Sequence, residues 1–166
     1  DVNFWGAMRC IRAVLPYMRK NYAGHIIVTS SVAGAIGIPF QAYYSATKAS
    51  LNSIVLAVGN EVRSYGIKLC AVMPGDIKTG FTSARNKINE GSESYSSLAK
   101  SVASMEHDEQ NGMPPIAIAK KFYSLSVQKN PKPLCSVGLM YKACCMLIKL
   151  LPCRLANWIV GKMYAS

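Results

Sequence analysis

Gly24-His25-Ile26-Ile27-Val28-Thr29-Ser30-Ser31-Val32-Ala33-Gly34 is the stretch on which the fold turns. Its apolar, β-branched opening passes directly into small residues. A run that is apolar on both faces suits a central strand of a parallel sheet, where helices cover both sides. Ile67 to Met73 repeats the pattern and is stopped by Pro74-Gly75. Upstream, Phe4, Met8, Ile11, Leu15 and Met18 recur in steps of three and four, which places them on one face of an amphipathic helix. Pro16 removes one backbone hydrogen bond from that helix and is expected to bend its last turn, and Asn21 to Gly24 reads as its end.

Between the two strands a second helix is expected from about Tyr43 to Tyr65, with Leu51, Ile54, Val55, Val58 and Val62 as its core stripe. Ala46, Ser50, Ser53 and Ala57 form a second stripe of small residues, close enough to admit another helix of the same chain or of a second subunit in a homo-oligomer. The order helix, strand, helix, strand predicts an α/β domain, doubly wound around a parallel sheet with helices on both faces. Downstream, Asp76 to Pro115 is polar and reads as a long, mobile excursion with one short helix around Tyr95 to Met105. In such folds, excursions beyond the carboxyl ends of the strands line the ligand crevice. A further helix is expected from Ile116 to Gln128, a short strand from Pro133 to Val137, and a helical tail from Tyr141 to Tyr164 interrupted by Pro152.

The 166 residues carry a net charge of +11, and the distribution matters more than the sum. All eight acids lie at or before Glu109, and the excess positive charge belongs to the C-terminal third. There the basic residues are spread over an apolar tail with no aromatic platform, so nucleic-acid binding ranks last among the readings. The six cysteines, Cys10, Cys70, Cys135, Cys144, Cys145 and Cys153, form neither CxxC pairs nor a regular disulfide framework. No metal site is expected, and a reducing, cytoplasmic location fits best.

Tyr44 and Lys48 are four apart on the expected helix and so share a face. The spacing has a chemical use. A phenol has a pKa of about 10 and is a poor acid or base at neutral pH; an adjacent ammonium stabilises the phenolate and brings it toward the working range. Thirteen residues before Tyr44, Ser31 follows the first strand at the mouth expected for a ligand. Taken alone, Tyr44 and Lys48 fit a core tyrosine beside a surface lysine equally well, and Pro74-Gly75 could be no more than a turn.

Three segments together are more specific. Gly24 to Gly34, then Tyr43-Tyr44-Ser45-Ala46-Thr47-Lys48-Ala49, then Pro74-Gly75-Asp76-Ile77-Lys78-Thr79 resemble, in order, consecutive motifs of the classical short-chain dehydrogenases/reductases. The resemblance implies NAD or NADP as cofactor, with NADP slightly favoured, and a small-molecule carbonyl or alcohol as substrate, for which a lipid-like or steroid-like molecule is one option. It implies Tyr44 as the proton donor or acceptor, since Tyr44 has Lys four residues on and Tyr43 has Thr47. It implies Ser31 as the residue that orients the substrate oxygen, with Ser30 the less favoured neighbour, and Lys48 on the nicotinamide ribose. Asp1-Val2-Asn3 resembles the segment that carries the family's Asn, so Asn3 would hold a water in a proton relay; a helix N-cap or first-turn residue is the alternative for it. Pro74, Gly75, Ile77 and Thr79 would lie against the nicotinamide and phosphate end of the cofactor.

The family's glycine-rich turn and Asn-Asn-Ala-Gly segment do not occur here, so the chain is expected to be the C-terminal catalytic portion of a longer protein and to bind dinucleotide poorly alone. Its organisation is read as a catalytic part over 1–138 and a basic amphipathic tail over 139–166. The tail holds no uninterrupted apolar run near the ~20 residues that span a bilayer. It is expected either to lie peripherally on a membrane surface or to pack over the substrate cleft or a partner subunit with its lysines solvated. A non-catalytic binding protein that kept the fold is the competing functional class.

Overall fold

The computed structural model describes residues 1–81, 83 and 94–165. One π-helical turn, Val2–Gly6, leads into helix α1, Ala7–Lys20. Strand β1, Gly24–Thr29, is followed by helix α2, Ala42–Glu61, and strand β2, Ile67–Met73. Helices α3, Leu98–Gln110, and α4, Pro115–Ser126, precede the short strand β3, Leu134–Ser136. Helices α5, Leu139–Leu150, and α6, Cys153–Tyr164, complete the chain.

The sheet is parallel, in the order β1-β2-β3. β2 is its centre, and the period of two along that strand sorts its side chains between two layers. Ile67, Leu69 and Ala71 pack with Ile11 of α1 and Leu51 and Val55 of α2. Cys70 and Val72 face the other way, onto Ile118 and Leu125 of α4. Helices therefore cover both faces, as the doubly wound arrangement requires. Leu51 and Val55 are among the most deeply buried side chains, and such burial contributes roughly 1.5–3 kcal/mol per side chain.

β1, whose composition suits a strand covered on both faces, lies at the edge among the described residues. Ile26 and Ile27 are only half-buried, and β1 pairs with β2 along one side alone. α2 is shorter than expected, because the chain leaves the α-helix after Glu61 and closes through a 3-10 turn, Arg63–Tyr65, onto Gly66 at φ 66°. α3 begins later and runs longer than the helix expected from Tyr95 to Met105. The polar excursion containing it is also tied down at its base: Ile77 bridges to Met113, with Lys78 N–H donating to the Met113 carbonyl at 3.0 Å. The part of the expected mobile excursion at 82 and 84–93 lies outside the described residues. Pro152 ends α5 and stands as the N-cap of α6.

Candidate active-site cleft

Beyond the carboxyl ends of β1 and β2 opens a cleft of about 310 Å³. Asn3, Ser31, Tyr44, Lys48, Pro74, Gly75, Ile77 and Thr79, all singled out from sequence, line it. They arrive from the π-helical turn, the end of β1, the first turns of α2 and the loop after β2.

Lys48 is buried at 9 % exposure. Its ammonium donates to the Thr29 carbonyl at 3.0 Å and stands 5.6 Å from the centroid of the Tyr44 ring, within the reach of a cation–π contact. Burial lowers the Lys48 pKa. An ammonium has three protons to donate, and among the described residues the Thr29 carbonyl takes one. The donor chemistry left over suits a diol such as a ribose in the cleft. Of the two neighbouring tyrosines, Tyr43 is 93 % exposed while Tyr44 turns into the cleft, with its ring 6.4 Å from that of Phe81.

Ser31 caps the 3-10 turn Val32–Gly34, its Oγ accepting from Ala33 N–H at 3.1 Å. Its hydroxyl donates to the Pro74 carbonyl at 3.5 Å, a long bond that a ligand oxygen could replace. Ser30, by contrast, is 3 % exposed and donates to the Lys48 carbonyl at 3.2 Å. Its hydroxyl braces α2 against the strand. Gly34 permits that closeness: a Cβ there would stand 2.7 Å from the backbone carbon of Lys48. Asn3 is exposed at the cleft's margin, inside the π-helical turn and not at its N-cap, which is Asp1.

The opposite wall brings the C-terminal tail over the cleft, one of the placements expected for it, through residues that no spacing or motif singles out. Tyr141 of α5 donates its hydroxyl to an Asp76 carboxylate oxygen at 2.5 Å and accepts from Asp76 N–H at 3.1 Å. Its ring lies flat against Gly75, where a Cβ would come within 2.2 Å of it. Tyr164 of α6 and Asp108 of α3 also line the cleft. Burial raises the Asp76 pKa, partly opposed by the hydrogen bond from Tyr141, with Asp108 and Glu109 adding to the rise. Tyr141 is pushed up to about 12 by burial and by its bond to Asp76. Gln41, at the start of α2, donates its amide to the Met105 sulfur of α3 and so ties the two walls together. Asp76 and Tyr141 are 65 positions apart, and neither spacing nor periodicity signals such a contact.

The family described as short chain dehydrogenase matches residues 1–90. The chain is 36% identical over 166 residues to a 3-ketodihydrosphingosine reductase of Bacteroides thetaiotaomicron, a match covering 98% of this chain and 59% of that protein. It therefore spans less than two thirds of that relative's length. Among solved structures, a short chain dehydrogenase/reductase from Burkholderia phymatum in complex with NAD superposes with a TM-score of 0.72 at 20% identity, over 90% of this chain and 55% of the other. A short chain dehydrogenase from Burkholderia cenocepacia in complex with NADP gives 0.68 at 17% identity, over 93% and 54%. These likenesses establish the fold.

Proposed function

The chain belongs to the short-chain dehydrogenase family, and from that premise we propose that its cleft exchanges a hydride between a nicotinamide dinucleotide and a carbonyl or alcohol. One observation carries the reading: a phenol and a buried ammonium on one helix face open, with Ser31, into the same cleft. The dinucleotide, when bound, supplies the hydride chemistry. Tyr44 gives or takes the proton at the substrate oxygen. Lys48 favours its phenolate form through charge and holds the ribose with the protons left beyond Thr29. Ser31 turns its hydroxyl from the Pro74 carbonyl to the substrate oxygen and polarises it. Asn3 holds a water that passes protons toward Lys48. Pro74, Gly75, Ile77 and Thr79 form the surface against the nicotinamide and phosphate end.

NAD and NADP both fit this reading, and each is bound in one of the related structures named above; NADP is slightly favoured. A lipid-like or steroid-like carbonyl is the substrate class, supported by the relative named for 3-ketodihydrosphingosine. Residues 1–138 form the catalytic part in this scheme and 139–166 the basic tail. A cytoplasmic protein peripheral to a membrane surface goes with that substrate class and with six cysteines that are free thiols.

The test is Tyr44→Phe in the full-length protein, followed by cofactor oxidation and by fluorescence titration of the cofactor. Turnover should fall by about 10²–10⁴-fold, the range for loss of a positioned acid or base, with cofactor affinity largely kept. Retained turnover overturns the assignment of Tyr44, whereas no cofactor oxidation by the natural full-length protein would favour a fold kept for binding alone.

A further inference from the structure

Helix α5 is apolar on two opposite sides, and among the described residues only one of them is buried. Tyr141, Cys145 and Ile148 turn inward. Leu139, Met146, Leu147 and Leu150 recur at i, i+7, i+8 and i+11, which gathers them into one stripe on the other side, and they are 84%, 64%, 54% and 75% exposed. Lys142 and Lys149, seven apart, share one flank of that stripe. α6 repeats the plan: Ala156 and Val160 are buried, while Leu155 and Trp158 are exposed beside Arg154 and Lys162. An exposed apolar stripe along a helix face points to an interaction site more than scattered single side chains do.

Charge decides between occupants. From Gln110 onward the sequence has no Asp or Glu, so two copies of this chain meeting stripe to stripe would set lysine against lysine. No described helix is long and apolar enough to cross a membrane. An anionic lipid surface answers both features, with acyl chains under the leucines and tryptophan and headgroups beside the cations, whose stems lie along the apolar surface. We propose that the outer faces of α5 and α6 form a docking surface for anionic lipid bilayers. The inner faces of the same helices carry Tyr141 and Tyr164 into the cleft, so docking sets the cleft beside the lipid from which a hydrophobic substrate would come. The inference deepens the peripheral-membrane part of the reading above and does not depend on the hydride chemistry.

The test uses the full-length protein with any other tryptophan, Trp5 among them, replaced by Phe, so that Trp158 reports alone. Phosphatidylglycerol-containing phosphatidylcholine vesicles should shift its emission to the blue and carry the protein into the pellet. Pure phosphatidylcholine vesicles should capture about tenfold less, and raised salt should release the protein. Leu147→Glu with Leu150→Glu should abolish capture. Lys142→Gln with Lys149→Gln, which leaves the stripe intact and serves if the first pair unfolds, should lower anionic capture alone. Equal recovery in the supernatant with both vesicle types overturns the proposal, as does capture indifferent to both pairs, or a dimer in sedimentation velocity that the Glu pair dissociates without any vesicle binding. Tyr44→Phe should leave capture unchanged, which keeps failure of docking separate from failure of the catalytic reading.

Discussion

The two walls of the cleft are held by different means. On one, Ser30, Ser31, Tyr44 and Lys48 fall within a short span of sequence, and backbone groups fix three of them: Ser30 donates to the Lys48 carbonyl, Lys48 to the Thr29 carbonyl, and Ser31 accepts from Ala33 N–H. On the other, Asp76 and Tyr141 come from distant segments, the Tyr141 hydroxyl donating to the Asp76 carboxylate and accepting from Asp76 N–H. Backbone anchoring gives the first wall fixed positions, which proton transfer needs. The second joins segments far apart in the chain, with the Asp76 carbonyl held by Met113 N–H and its carboxylate by Tyr141, which suits it to shape a substrate and not to react with it.

Ser31→Ala puts that division under the greatest strain. Loss of a donor to a developing oxyanion should lower kcat about a hundredfold, whereas loss of the 3-10 cap costs only about 1 kcal/mol of stability; initial rates measured well below the melting temperature separate the two. Tyr141→Phe should act the other way. Two hydrogen bonds to Asp76 disappear, costing about 1–2 kcal/mol in a urea melt, with kcat nearly unchanged. A fall in kcat like that of Ser31→Ala would mean that the second wall shares in the chemistry, and the contrast would fail.

The smallest effect belongs to Asp76→Asn, read by thermal melts against pH. Asp76 titrates above the ordinary carboxylate value because it is buried, so the folded state binds its proton more tightly than the unfolded state does. Its favourable contribution is complete below the unfolded value of about 4 and is lost as pH rises through the folded value. The Asn variant, which still accepts from Tyr141, should therefore melt slightly above the natural protein at neutral pH, and the gap should close as pH falls below about 4. A gap that widens in acid would show that Asp76 is stabilised as a carboxylate.

Legibility in the sequence follows the same line as the two walls. Strand β2 matches the expected Ile67 to Met73 because its apolar run is short, bounded by Gly66 and Pro74, and buried on both faces. Tyr44 and Lys48 were legible because a helix converts a spacing of four into adjacency. Ser31 was legible because it follows a strand whose end could be seen. Tyr141 was not, since its role rests on a contact across 65 positions and on the bare Cα of Gly75 that receives its ring.

The edge strand β1 has an arithmetic of its own. Ser30 N–H reaches the Val72 carbonyl, and since successive backbone groups of a strand point to alternate sides, Ile26 and Val28 must also turn toward β2 while His25, Ile27 and Thr29 turn away. Thr29 finds the Lys48 ammonium for its carbonyl. The strand is thus a comb whose teeth toward β2 are engaged, and the amide hydrogens of Ile26, Val28 and Ser30 should trade with deuterium as slowly as those at the sheet's centre.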